Sequence, residues 1–464
     1  MIANKVRAAW ELVTRKEFTE AWPIISDVLN EEPDNPSALY LAGCVMRSQS
    51  HVGLSVNLFR RALAIRQDIP NIWMHYGAAL HDTHSYDEAR ECFTAVLKWL
   101  PTDPMPYGNI AAGYIQQGKA REACEWADKA LALDPEHTIA KIAKAFGCLA
   151  LGRWADAWEH IDALYEEKLV ARVYTPDKEP VWDGSKGKTV VVWTDQGLGD
   201  QIMFAQCLPE MIRDCKEVII DTSERMEGFF RRNFPGATVY GTLKKRGLDW
   251  PAKHKIDAGM QLSWIGKYYR RKDEDFPKRP YIVPDPEKVA EVRKALEKLP
   301  KPWVGIAWRG GIPETNTKAR SMELTDLAPV IKAGGTMISL AYQDVRQEIA
   351  RWNIENPEQI IVPVIDNQGD FDWTLALISE LDHVVTVTTT AAHACGALGK
   401  RCYVLVNQVP QWRYAHGRDH LLWYPDSLTL YRQRPGEKGW EHAVARLTKD
   451  YKTWVLGEGE RKCA

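Results

Sequence analysis

Three short stretches of the 464-residue chain carry residue types suited to handling an anionic leaving group. The first is Gly197-Leu198-Gly199-Asp200, which follows an apolar run, TVVVWT, at 189–194. Glycines after a strand let backbone approach a ligand, and a helix start carries partial positive charge. The third glycine of a dinucleotide fingerprint is missing, because Ile202 stands there. Asp200 reads equally as a carboxylate facing a cleft or as a helix-capping aspartate. The second stretch is Thr388-Thr389-Thr390, followed by His393 and Gly396. Three hydroxyls beside the free N–H groups of a helix start suit a diphosphate. His393 falls in the first turn, either donating to a phosphate oxygen or buried as a structural residue. The third is Arg309, directly after WVGIAW at 303–308. A guanidinium there neutralises a departing diphosphate, and Lys318 and Arg320 on the following loop assist it. Asp370-Phe371-Asp372 has metal-binding DxD spacing, but it precedes an apolar-periodic helix, so capping is expected. No metal and no cofactor is expected.

Elements to hold these residues are legible around them. Apolar runs at 189–194, 217–223 and 237–241 read as strands alternating with helices. Four prolines in 276–286 (FPKRPYIVPDP) mark a hinge. Beyond it a helix at 287–299 precedes strands at 303–308, 336–341, 359–364, 383–389 and 402–407. Two doubly wound parallel sheets follow, at 188–285 and 286–464, with ligands expected beyond the strand ends. Residues 169–187 form a Pro/Gly linker ahead of them.

The first third has a different logic. Small residues recur 34 apart at Ala9, Gly43, Gly77, Ala111 and Ala145. Twelve residues after each comes Ala21, Ser55, Ala89, Ala123 or Ala157, and Pro33, Pro101 and Pro135 share a further register in which Gln67 departs. Two helices approach closely only where side chains are small, and the proline stops the second one. Residues 1–168 therefore resemble the tetratricopeptide repeat (TPR), with about five helix pairs. The resemblance implies a concave surface for a protein partner, a substrate to be recruited or a second copy of the chain.

Composition is that of a soluble globular protein, 45% hydrophobic and 26% charged, which excludes a disordered or collagen-like chain. No window is apolar for the ~18 residues of a membrane span. The first residues are charged and helix-patterned, with no secretory signal expected. Nine dispersed cysteines without CxxC spacing favour a reducing, cytoplasmic setting. The net charge is −2, yet residues 225–280 carry an excess of eight positive charges. This basic stretch includes Arg231, Arg232, Lys244, Lys245, Arg246, Lys253, Lys255 and KYYRRK at 267–272. It suits an acidic acceptor or nucleic acid, with aromatics stacking on bases, although a solvated charged surface explains it as well.

The motifs together resemble nucleotide-sugar glycosyltransferases of the GT-B fold, above all glycosyltransferase family nine, the ADP-heptose heptosyltransferases. The matching stretches are 179–209, 304–311 (VGIAWRGG), 320–329 (RSMELTDLAP), 375–400 and 411–433. TPR repeats ahead of such a domain are a layout similar to that of the O-GlcNAc transferases. The expected fold is α + α/β, a TPR α-solenoid followed by two Rossmann-like domains, acceptor side first and donor side second. The resemblance implies Asp200 as acceptor base, with Gly197, Gly199 and Gln201 in the acceptor-side loop. It implies donor contacts from Arg309, Thr388, Thr389, Thr390, His393 and Gly396. The family's usual aspartate is Thr388 here, which leaves a changed donor or a lost activity open. The leading expectation is an inverting, metal-independent transfer from a nucleotide-sugar to a protein or glycan hydroxyl. The alternatives are transfer to hydroxylated DNA bases, and a non-catalytic TPR scaffold. Trp412 and Trp423 either stack on a nucleobase or pack.

Overall fold

Helices packed across small residues build the first part of the chain. A computed structural model describes residues 1–166, 180–194, 197–243, 245, 247–311, 317–363 and 369–463. Asp195, Gln196, Lys244, Arg246, Val364 and most of the expected linker (169–179) lie outside the described residues. The chain divides into two compact units, Met1–Leu169 and Val170–Ala464.

The first unit holds α1 (Ile2–Thr14), α2 (Phe18–Glu31), α3 (Pro36–Ser48), α4 (Val52–Ile65), α5 (Pro70–Asp82), α6 (Tyr86–Val96), α7 (Pro104–Gln116), α8 (Ala120–Leu133), α9 (Thr138–Leu151), α10 (Trp154–His160) and a last turn, α11 (Ala163–Glu166). Consecutive helices pack in pairs from α1 with α2 to α9 with α10. Pro36, Pro70 and Pro104 open α3, α5 and α7, where a missing N–H costs nothing. The 34-residue register is a packing device. A Cβ at Gly43 would lie 2.6 Å from the Phe59 ring, and one at Gly77 would lie 2.7 Å from the Phe93 ring. The hydroxyl of Ser55 donates to the Gly43 carbonyl at 2.8 Å, tying α4 to α3. Both phenylalanines are fully buried, so neither ring has room to withdraw. Gly77→Ala is therefore expected to destabilise this unit by about 1–3 kcal/mol through overpacking. Gly53→Ala meets nothing within 4 Å and is expected to cause no loss. Urea unfolding followed by circular dichroism compares the two.

The second unit contains two sheets. In the first, β1 (Thr189–Trp193) leads to α12 (Leu198–Ala205) and α13 (Leu208–Asp214). β2 (Glu217–Asp221), α14 (Glu224–Asn233), β3 (Thr238–Tyr240), β4 (Ala258–Gln261) and the single turn α15 (Gly266–Tyr269) complete it. Its strand order is β3-β2-β1-β4, all parallel. The second sheet follows α16 (Pro286–Leu296) and starts with β5 (Trp303–Ala307). Then come α17 (Thr317–Arg320), α18 (Ala328–Ile331), β6 (Thr336–Ser339), α19 (Arg346–Glu355), β7 (Ile360–Ile361) and α20 (Phe371–Glu380). The remainder is β8 (His383–Val387), α21 (Thr390–Leu398), β9 (Cys402–Val406), β10 (Leu428–Arg432) and α22 (Glu441–Cys463). Its order is β10-β9-β8-β5-β6-β7, again all parallel. Every residue of β1, β5 and β8 is buried, as in a parallel sheet covered on both faces.

Two strands were not expected. β4 reads AGMQ, without a β-branched residue; it pairs with β1, and its Gly259 also bridges Val181. β10 falls inside an aromatic, loop-like stretch. The proline segment at 276–286 is not a bare hinge. Tyr281 donates its hydroxyl to the Ile202 carbonyl at 2.5 Å and its N–H to the Ala397 carbonyl at 3.1 Å, so it spans α12 and α21. Among the described residues no helix is long and apolar enough to cross a membrane.

Candidate functional site

A parallel sheet has a natural crevice where its chain order reverses, at the C-terminal strand ends. In the second sheet that point lies between β5 and β8, and in the first between β1 and β4. The loops leaving β1, β5 and β8 all line one cavity of about 560 Å³. Gly197, Gly199, Asp200, Arg309, Thr388, Thr389, Thr390 and His393 share it.

Asp200 sits in the first turn of α12, where Gly197 rather than Asp200 holds the cap position and no side chain caps the helix. Its carboxylate forms an ion pair with Arg413. The two glycines are needed for close approach. A Cβ at Gly197 would lie 2.8 Å from Asp200 Oδ2, and one at Gly199 would lie 2.8 Å from His393 Cδ2. Thus α12 touches the start of α21 through Gly199 and His393.

His393 is buried, its Nε2 is 3.4 Å from the Tyr414 hydroxyl, and its Nδ1 has no partner among the described residues. Burial first, then Arg413 and Arg320, hold its pKa well below the usual histidine value, so the imidazole is neutral at pH 7. A neutral ring still donates one hydrogen bond. Thr389 caps α21 by position, and its hydroxyl pairs with that of Thr386 at 2.9 Å. Thr388 accepts from Arg320 Nε at 3.2 Å, and its carbonyl takes a second bond from the same guanidinium. The threonine hydroxyl holds Arg320 by a neutral hydrogen bond, where an aspartate would hold it by charge.

Two expectations, for Gly396 and Gln201, need correction, and the one for Arg309 needs its partners added. Arg309 faces the cavity, but its guanidinium is engaged with Glu323 and Glu348, each at 3.2 Å. Glu348 is itself fixed by Trp308 Nε1 at 3.0 Å and the Leu324 N–H at 3.0 Å. Arg309 is thus already balanced by two carboxylates, and Arg320 and Arg413 are the cations beside α21. Gly396 is absent from the cavity wall. It makes room for Tyr424, whose ring would stand 2.2 Å from a Cβ there. Gln201 points into the first sheet, where its side-chain carbonyl accepts from the Thr222 hydroxyl at 3.2 Å.

The sequence reading also missed partners. Arg413 lies in a stretch singled out only for its overall likeness. Arg225 follows β2 and lies 5.9 Å from the centre of the Phe371 ring. Leu340, Tyr342, Phe371 and Leu377 give the cavity an apolar wall, and nothing in their spacing along the chain marks them as neighbours. Asp370 caps α20, accepting from the Asp372 N–H at 2.9 Å, while Asp372 is buried against Arg232. Among the described residues no cluster of three or more His, Cys, Asp or Glu side chains could hold a metal.

Several cations of the basic stretch are engaged with carboxylates. Arg231 pairs with Glu227, Lys245 with Glu224 and Lys253 with Asp249. Arg270 is only 1% exposed and bonds Glu210, the Gln206 carbonyl and the Tyr269 carbonyl. Tyr268 packs on buried Trp182 and donates to its carbonyl at 2.7 Å. That tyrosine is therefore not presented to a nucleobase. Trp423 is likewise buried, against Phe204 and Phe276, whereas Trp412 is half-buried.

The tetratricopeptide repeat family matches residues 106–137, which take in most of α7 and all of α8. The N-terminal helices are thus a TPR-type solenoid, followed by a region of parallel sheets. Protein FlbA of Caulobacter vibrioides is 26% identical over 438 residues, covering 89% of this chain and 72% of that protein. The peroxisomal targeting signal receptor of Candida glabrata is 24% identical over 119 residues, covering 25% of this chain and 20% of that protein. Among solved structures, MamA from Desulfovibrio magneticus RS-1 is 20% identical, covering 36% of this chain and 93% of its own, at a TM-score of 0.31. PilF of Pseudomonas aeruginosa is 17% identical, covering 36% of this chain and 75% of its own, at 0.32.

Proposed function

We propose that the second unit is an inverting glycosyltransferase that moves a sugar from a nucleotide-sugar to a hydroxyl of a protein or glycan. The TPR helices recruit the acceptor, and the dispersed cysteines favour the cytoplasm. The observation that carries this reading is the cavity where two sheet crevices meet. It sets a carboxylate, Asp200, across from a nine-residue helix start flanked by Arg320 and Arg413. An apolar wall of Leu340, Phe371 and Leu377 suits a nucleobase or the face of a sugar. The acceptor hydroxyl attacks the anomeric carbon from the side opposite the diphosphate. Asp200 takes its proton, and the C–O bond to the diphosphate breaks with its electron pair. The negative charge gathering on the leaving group meets the N-terminus of α21 and two guanidinium groups, which do the work of a metal ion. Because Arg270 is buried and Tyr268 packs on Trp182, the KYYRRK stretch does not offer the alternating cations and rings that stack on bases, and a protein or glycan acceptor is favoured over DNA.

A second reading, a nucleotide-binding scaffold that transfers nothing, is favoured by the ion pair that engages Asp200. Thermal-shift measurements with UDP, ADP, GDP and their sugars test both readings. At least one nucleotide at 100 times its Kd is expected to stabilise the second unit by about 2.7 kcal/mol. Arg320→Met is expected to abolish most of that shift. Indifference to every nucleotide at millimolar concentration would remove both readings, and binding without transfer would leave only the scaffold.

A further inference from the structure

We propose that Arg413 exchanges partners during turnover, pairing with Asp200 before the donor binds and with the donor diphosphate afterwards. The exchange frees the carboxylate to receive the proton of the acceptor hydroxyl. This inference rests on the glycosyl-transfer reading. Its starting point is the Asp200–Arg413 pair inside the cavity, with the two side chains 27% and 13% exposed. While that pair stands, the carboxylate that is to receive a proton is held by a guanidinium. Arg413 also donates to Gln411 through Nη1, and its buried Nε–H has no partner among the described residues. It therefore has donor capacity still to use. His393 lines the same space with an unpartnered Nδ1 and is 4% exposed, so two buried nitrogens beside the cavity retain hydrogen-bonding capacity. A diphosphate offers more charge than one carboxylate and matches the guanidinium fork at two oxygens.

The backbone around Arg413 is held firmly. Arg413 belongs to a short turn, Trp412–Tyr414, pinned by buried Tyr414, whose carbonyl accepts from Arg432. The next residue, Ala415, has φ 39° and ψ 153°, a region nearly reserved for glycine. Strain next to an ion-paired arginine marks a segment held in place by its surroundings, and Arg413 already stands close enough to His393 of α21 to act on it electrostatically.

A double-mutant cycle on the full chain tests the exchange, using whichever of UDP, ADP and GDP binds the wild type, read by calorimetry. If Asp200 competes with the diphosphate for Arg413, Asp200→Asn tightens binding by roughly 10-fold, and the gain disappears in an Arg413→Gln background. Arg413→Gln alone weakens binding by roughly 10- to 100-fold. Simple repulsion between Asp200 and the ligand would give the same gain in both backgrounds and would overturn the exchange. So would no gain in either. If Arg413→Gln does not fold, Arg413→Lys replaces it, with a smaller gain than in wild type expected and an undiminished one overturning the proposal. Failure of all three nucleotides to bind the wild type defeats the glycosyl-transfer reading itself, and the exchange with it.

Discussion

Asp200→Asn is expected to lower the rate of sugar transfer by about 10²–10⁴, the range for losing a positioned general base. Nucleoside diphosphate binding is expected to tighten, because the neutral side chain competes less for Arg413 while keeping its volume. The cause is local. Asp200 is the carboxylate that lines the cavity near α21, while Glu323 and Glu348 are engaged by Arg309. The asparagine amide keeps contact with Arg413 but takes no proton from the acceptor. Initial rates of donor consumption with a saturating acceptor, beside calorimetric binding, separate chemistry from affinity. Turnover within a few-fold of wild type would deny Asp200 the role of base. Equal loss of binding and turnover would make it a structural residue.

Arg270→Met is expected to destabilise the second unit by about 3–5 kcal/mol, the cost of removing one partner of a buried charged network. The guanidinium is 1% exposed and reaches Glu210 at 2.9 Å, the Gln206 carbonyl at 2.9 Å and the Tyr269 carbonyl at 2.7 Å. Methionine fills much of the space but supplies none of these donors, so two carbonyls and a carboxylate lose their charged partner. The neighbouring Arg271 is exposed, and Arg271→Met is expected to stay within about 0.5 kcal/mol of wild type. Denaturant unfolding followed by tryptophan fluorescence reads both. Similar behaviour of the two variants would mean that burial does not distinguish these adjacent arginines.

That pair of arginines shows what a local reading of sequence reaches. KYYRRK reads as a basic surface because composition counts charges without knowing which are covered. Burial of Arg270 depends on Gln206 and Glu210, some sixty residues earlier in the chain. The same holds for Arg309. Its position after β5 is legible from the apolar run before it, but its neutralisation by Glu323 and Glu348 comes from segments that only folding brings near. Gly396 was misread for a related reason. The family resemblance made it a donor contact, yet the ring that needs the room belongs to Tyr424.

The sequence by itself determined whatever repeats at short range. The 34-residue register places glycine against phenylalanine at Gly43 and Phe59 and again at Gly77 and Phe93, because helix pairs close only where side chains are small. Short runs rich in apolar and β-branched residues located β1, β5 and β8, because parallel strands covered on both faces are predominantly apolar. Tertiary structure alone decided which strand ends share a cavity and which charges remain available there. Arg413 reaches Asp200 across more than two hundred residues of chain, and no pattern of nearest neighbours encodes a contact made only when two sheets fold against one another.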